Sequence, residues 1–183
     1  MLILASASPR RKELLSSLNI PFSIIAADIS EEIDQNSDLE KEIEKLSYLK
    51  AEAIFKDHPD DIVIGSDTIV TIDNKVLGKP KDEKEAMDML KTLSGKKHSV
   101  ITAVSILSAK QKETFHINSD VYFDDLSEEE IQDYIASKEP MDKAGAYAIQ
   151  GKAGKFIKKI DGDYYAIIGL PINELYRRLK KYL

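Results

Sequence analysis

The sequence predicts an α/β or α+β fold built on a large mixed sheet flanked by helices. Short β-branched runs alternate with amphipathic segments along the whole chain. Two of these runs, 98–107 and 113–123, are long and separated only by a polar turn. That spacing gives an antiparallel hairpin and departs from strict βαβ alternation. With 183 residues, 43% of them hydrophobic and 32% charged, the chain can bury a core beneath a well-solvated surface. No internal repeat and no linker rich in Gly, Ser or Pro interrupts it, so one domain over 1–183 is expected.

The elements follow in order. Residues 2–5 form an apolar run that predicts a strand. Pro9 suits the first turn of a helix with Ser8 as N-cap; Leu14, Leu15 and Leu18 give it an apolar face, and Asn19 with Pro21 ends it. Residues 22–26 predict a second strand. Leu39, Ile43, Leu46, Leu49 and Ala53 recur at helical spacing within 38–57. An apolar run at 61–65 is followed by Ser66-Asp67-Thr68 and then by Ile69 to Ile72, and Asp73-Asn74-Lys75 predicts a turn. Asp82 and Glu85 open a helix over 83–93 that stops near Gly95. After the hairpin, with its turn at 109–112, Ser127 and Glu130 form a capping box for a helix over 128–137. A Gly-rich section leads to strands expected near 146–149, 155–160 and 164–168. Pro171 opens a C-terminal helix that ends in basic residues, as the helix dipole favours.

Composition removes several function classes. The chain has no cysteine, which excludes disulfides, thiolate metal sites and a catalytic thiol. Only four apolar residues follow Met1, which reads as a buried strand and not as a signal peptide. No apolar run approaches the roughly 20 residues that span a bilayer, so no membrane role is expected and the cytoplasm is the expected compartment. A net charge of −6 disfavours a polynucleotide partner. A small anionic ligand needs only a local group of cations. His58, His98 and His116 are isolated and take no role. There is neither a nucleophile elbow nor a Walker-type loop.

Five groups of residues could carry chemistry. Ser6-Ala7-Ser8-Pro9-Arg10-Arg11 lies between a strand and a helix N-terminus, where free N–H groups, hydroxyls and guanidinium groups suit a phosphate. A capped helix with two exposed arginines fits those residues equally well. Asp67 follows an apolar strand run, where α/β sheets place ligands; a bend between two strands is the other reading. Glu31 and Glu32 lie in an acidic loop that is either solvated surface or a source of carboxylate for Mg²⁺. Lys50, on the long helix, and Lys79, in Gly78-Lys79-Pro80, are a snorkelling and a loop lysine unless an anion lies nearby. In the segment Lys143 to Gly151, small residues permit close backbone approach, and Gln150 could pair with a base edge.

Taken together, these segments resemble the Maf family of nucleotide pyrophosphatases, historically linked to septum formation. The resemblance rests on Leu4-Ala5-Ser6-Ala7-Ser8-Pro9-Arg10-Arg11, the Glu31 loop, Lys50, Ser66-Asp67-Thr68 and Gly78-Lys79-Pro80. It continues through His98 to Val104, Asp142 to Gly151, and Gly169-Leu170-Pro171, all in the family's order and spacing. Ala7 departs from it, since relatives often have Gly there. The resemblance implies a mixed, largely antiparallel elongated sheet, with two lobes around a central cleft. It implies hydrolysis of dTTP and UTP to the monophosphate and pyrophosphate, with a divalent cation, Mg²⁺ or Mn²⁺. Ser8, Arg11, Lys50 and Lys79 would hold phosphates, as would Arg10. Glu31 and Asp67 would bind the metal, and Asp67 would accept a proton. Arg10, Thr68 and Gln150 match positions tied to substrate choice. A homodimer is implied as well. Rival readings are a nucleotide-sensing regulator of cell division without turnover, and house-cleaning hydrolysis of modified nucleotides at the same site.

Overall fold

All four residues of β1 (Leu2–Ala5) are buried in the computed structural model, which describes residues 1–183, and they alternate between two cores. Leu2 and Leu4 enter one core cluster, and Ile3 and Ala5 enter another. The first cluster lies under α1 (Pro9–Ser16) and α6 (Ile172–Leu179), which contribute Leu15, Leu175 and Leu179. The second lies under α2 (Leu39–Phe55), which contributes Ala51 and Ile54. Both faces of the strand are thus covered, which is why it reads as a continuous apolar run. Each fully buried Leu or Ile stabilises the fold by about 2 kcal/mol.

The remaining elements are β2 (Phe22–Ile24), β3 (Ile62–Ile72), β4 (Lys75–Leu77), α3 (Glu83–Leu93), β5 (Lys97–Leu107), β6 (Lys112–Phe123), α4 (Glu128–Ala136), β7 (Ile157–Asp161) and α5 (Tyr164–Ile168). Short 3₁₀ turns occupy Glu139–Asp142, Ala144–Ala146 and Lys152–Phe156. The strands form one seven-stranded sheet in the order β2-β1-β3-β5-β6-β7, with β4 paired to β3. β1 runs parallel to β2 and β3, while β4 and β7 pair antiparallel with β3 and β6. β5 and β6 are joined by residues 108–111, too short for a parallel crossover, so they too are antiparallel. The sheet is therefore mixed and flanked by helices, as expected.

The chain divides into two compact units. The first comprises residues 1–68, 102–117 and 165–183, and holds both clusters above. The second comprises 69–101 and 118–164. Its buried residues include Ala86, Leu90 and Leu93 of α3, Ile131 and Ile135 of α4, and a set of packed rings formed by His98, Phe123, Tyr147, Tyr134 and Phe156, edge-on except for the tilted Phe123–Phe156 pair. No helix is long and apolar enough to cross a membrane.

Three local expectations are corrected. Residues 62–72 form one continuous strand, so Ser66-Asp67-Thr68 is not a bend between two strands. Pairing with β1 before it and with β4 after it carries the backbone straight through the polar triplet. Residues 146–149 are not a strand, because Gly145 (φ 68°) and Ala146 (φ 60°) are left-handed and break extension. Residues 164–168 form a helical turn despite their aromatic and β-branched composition. Smaller differences are a shorter β2, and β4, which begins at Lys75 inside the expected turn.

Candidate functional site

The parallel pairing of β1 with β3 sets the site. Ala5 lies opposite Gly65, so Ser6–Ser8 and Ser66–Thr68 begin at the same level of the sheet. That is the carboxyl end of β1, where α/β sheets bind ligands. Close packing brings α2 to the same place. A Cβ at Gly65 would press on the Ser47 carbonyl and lie 2.7 Å from Ala51 N, so only glycine lets α2 approach β3 this closely.

Ser6 Oγ accepts the Ser8 N–H at 3.2 Å, tightening the turn after β1. Ser8 is the N-cap of α1, its Oγ accepting the Arg11 N–H at 3.4 Å. Pro9 fills the first helical position, and Lys12 N–H to Ser8 O closes the first helical hydrogen bond. The capped-helix reading of this segment is therefore correct, but Arg11 is not an exposed arginine. Its side chain is only 11% exposed. Nε donates to Gly169 O at 2.9 Å, Nη2 donates to Thr68 Oγ1 at 3.0 Å, and Nη2 lies 3.9 Å from Asp67 Oδ1. Burial, only partly offset by Asp67, lowers its pKa from the ordinary arginine value. Arg10 is half-buried and held by no ion pair.

Lys50 projects from the buried face of α2 with 9% of its side chain exposed. A lysine so desolvated needs a counter-charge, and it has two. Glu31 Oε1 lies 2.6 Å from Nζ, and Asp67 Oδ1 lies 3.2 Å from it. Asp67 Oδ1 also accepts the Thr68 N–H at 3.0 Å. All these contacts fall on one oxygen of Asp67. Glu31 sits in the loop between β2 and α2 and is 57% exposed; Glu32 beside it is exposed too.

The first unit thus brings together Ser8, Arg10, Arg11, Glu31, Lys50, Asp67 and Thr68. Lys79 and Gln150 belong to the second unit, and both are exposed. There the Gly145 N–H donates to Gly78 O at 3.1 Å, which ties the loop before Lys79 to the segment Lys143–Gly151.

Three further residues frame the site and were not singled out as ligand groups from sequence. Ser66 Oγ donates to Gly169 O at 3.1 Å, Thr102 Oγ1 lies 2.8 Å from Thr68 Oγ1, and Gly169 offers its carbonyl to both Ser66 and Arg11. The available signal was a hydroxyl inside an otherwise apolar strand: Ser66 in β3 and Thr102 in β5 are both fully buried. A buried hydroxyl requires a partner, and those partners come from distant parts of the chain.

Comparison with known proteins identifies the family. The profile of the family described as Maf-like protein matches residues 1–182. The chain is 54% identical over 181 residues to the dTTP/UTP pyrophosphatase of Bacillus velezensis, covering 99% of this chain and 96% of that protein. It is 49% identical over 180 residues to the dTTP/UTP pyrophosphatase of Geobacillus sp. (strain WCH70), covering 98% and 97%. The Ham1 protein of Staphylococcus aureus shares the fold, with a TM-score of 0.56 at 14% identity over 100% of this chain and 99% of that one. With nearly its whole length matched and half its residues shared with such relatives, the chain belongs to the Maf-like protein family.

Proposed function

We propose that this chain hydrolyses dTTP and UTP to the monophosphate and pyrophosphate. One observation carries the reading beyond family membership: Lys50 Nζ sits between the carboxylates of Glu31 and Asp67, with the buried Arg11 guanidinium beside Asp67. Cations and carboxylates held together at a strand–helix junction suit a polyanion that must be bound and attacked by water.

The residues fit a hard divalent cation. Glu31 and Asp67 already converge on one positive charge, and no cluster of three or more His, Asp or Glu offers a protein-only cage. Mg²⁺ characteristically takes one or two carboxylates and completes its shell with phosphates and water. Glu31 and Asp67 would hold it, and the ion would supply charge neutralisation and a more acidic water.

The side chains divide the remaining work. Ser8 and the N-terminal end of α1 bind phosphate oxygens through O–H and N–H donors. Arg11, Lys50 and Lys79 neutralise phosphate charge, with Arg10 free to reach substrate. Asp67, oriented through Oδ1, takes the proton of the attacking water on Oδ2. The water oxygen bonds to the α-phosphorus, the bond to the bridging oxygen breaks, and pyrophosphate departs with that oxygen. Gln150 can offer one donor and one acceptor to the N3–H and O4 edge of uracil or thymine. It could flip to suit cytosine, so Arg10 and Thr68 are assigned a share of the selection.

A panel of nucleoside triphosphates with Mg²⁺ or Mn²⁺, resolved by chromatography, tests the reading. dTTP and UTP should give monophosphate and pyrophosphate. Diphosphate and inorganic phosphate would refute attack at the α-phosphorus, and tight binding without turnover would refute catalysis.

A further inference from the structure

We propose that Thr102 is a positioning residue that fixes the Arg11 guanidinium through Thr68. The inference rests on the pyrophosphatase reading for its catalytic consequence, but the positioning itself rests on hydrogen-bond direction.

Thr102 Oγ1 lies 2.7 Å from Ala166 O. A carbonyl only accepts, so the single hydroxyl hydrogen of Thr102 points there. Thr68 Oγ1 lies 2.8 Å from Thr102 Oγ1, and with the Thr102 hydrogen already committed, Thr68 must be the donor. The Thr68 hydrogen is then committed as well. Its oxygen can only accept, and it accepts from Arg11 Nη2 at 3.0 Å. Arginine has no acceptor, so the chain runs one way only: Arg11 to Thr68 to Thr102 to the Ala166 carbonyl.

Ala166 lies in α5. Thr102, fully buried on β5, supplies a donor to the Ala166 carbonyl. Meanwhile Gly169 O takes Arg11 Nε at 2.9 Å. Protein acceptors therefore hold the Nε–Nη2 edge of the guanidinium, Nη1 donates a longer hydrogen bond to Ser6 Oγ at 3.5 Å, and the second N–H of Nη1 is left for an anion. Thr102 touches no substrate atom in this scheme. It aligns the hydroxyl that aligns the arginine.

Thr102→Val keeps the shape of the side chain and removes the hydroxyl, freeing the Thr68 hydrogen to turn toward Arg11. In nitrogen–proton NMR, the Arg11 Nε–H signal, assigned by its loss in Arg11→Lys, should be sharp in the wild type. It should broaden or exchange at least tenfold faster in Thr102→Val and return in Thr102→Ser. Turnover of dTTP should follow the same order: kcat falls roughly 10–100-fold in Thr102→Val, KM changes less than about threefold, and Thr102→Ser recovers most of the loss. If Thr102→Val does not fold, Thr68→Val breaks the same chain at a half-buried position and should give the same Arg11 signature. Adding Thr102→Val to Thr68→Val should then cost nothing further. An unchanged Arg11 signal in Thr102→Val, no rescue by serine, or additive effects in the double variant would each overturn the proposal. Absence of pyrophosphatase activity in the wild type would sink the functional reading alone, since the NMR comparison still decides the positioning.

Discussion

Asp67 concentrates its partners on one oxygen. Lys50 Nζ, the Thr68 N–H and the more distant Arg11 all face Oδ1. That arrangement permits a clean test of the residue. In Asp67→Asn, Lys50 keeps Glu31, and Arg11 keeps Gly169 O and Thr68. Neither cation is left buried and unpaired, so the fold should survive while the proposed proton acceptor is lost. The expected loss in kcat is on the order of 10²–10⁴. Circular dichroism and the melting temperature report the fold, and wild-type turnover would remove Asp67 from its role. Lys50→Met makes a complementary case. It leaves Glu31 and Asp67 facing each other without the ammonium, and triphosphate binding should weaken at least tenfold, read by calorimetry with a non-hydrolysable analogue.

At the scale of elements, Gly65 governs the seat of α2 on β3. Any side chain there meets the backbone of α2 at Ser47 and Ala51, which cannot yield as a flexible side chain would. Gly65→Ala should destabilise the protein by about 3 kcal/mol through overpacking. It should also lift Lys50 away from Asp67, so that activity falls even where the variant is folded; urea unfolding and turnover measured in parallel separate the two effects. The capping box of α4 is a local counterpart. Ser127 Oγ accepts the Glu130 N–H, and Glu130 accepts from Ser127 N–H, so Ser127→Ala should cost about 1 kcal/mol in urea unfolding without touching activity. Such caps were legible in the sequence because their chemistry spans three residues. The same holds for Ser8 and Asp82, and for β1, whose apolar run is covered on both faces. What was not legible depends on remote partners. Ser66 is tolerated inside β3 because a carbonyl from residue 169 receives its hydroxyl. The Tyr164–Ile168 segment has strand-like residues, yet it lies between Gly162 (φ 138°) and Gly169 (φ 134°), two conformations that stop extension at both ends. The charged residues of the site could be named one by one. That Lys50 lies between two carboxylates, and that Arg11 is buried, required the tertiary packing of α1 and α2 on the sheet.

For the molecule as a whole, acid stability should turn on a residue outside the proposed chemistry. His98 is 2% exposed, with Nε2 2.7 Å from the Tyr147 hydroxyl and Nδ1 without a partner. Burial lowers its pKa from 6.5 to about 4, against a smaller opposing pull from Asp120. The folded state therefore holds His98 neutral at pH values where the unfolded chain takes up a proton. Its contribution is fully present above the unfolded pKa of 6.5 and is lost as pH falls toward about 4. A depression of this size corresponds to about 3 kcal/mol. Carboxylates whose pKa is lowered in the fold add their own losses at lower pH, among them Asp120, held chiefly by the Ser99 hydroxyl and also by Lys97. The interval from pH 7 to pH 5 therefore isolates histidine. The comparison is with His98→Gln, which leaves His58 and His116 in place in both proteins. Urea midpoints should fall more steeply from pH 7 to pH 5 in the wild type than in His98→Gln. Parallel slopes in the two proteins would mean that the buried imidazole does not control acid unfolding.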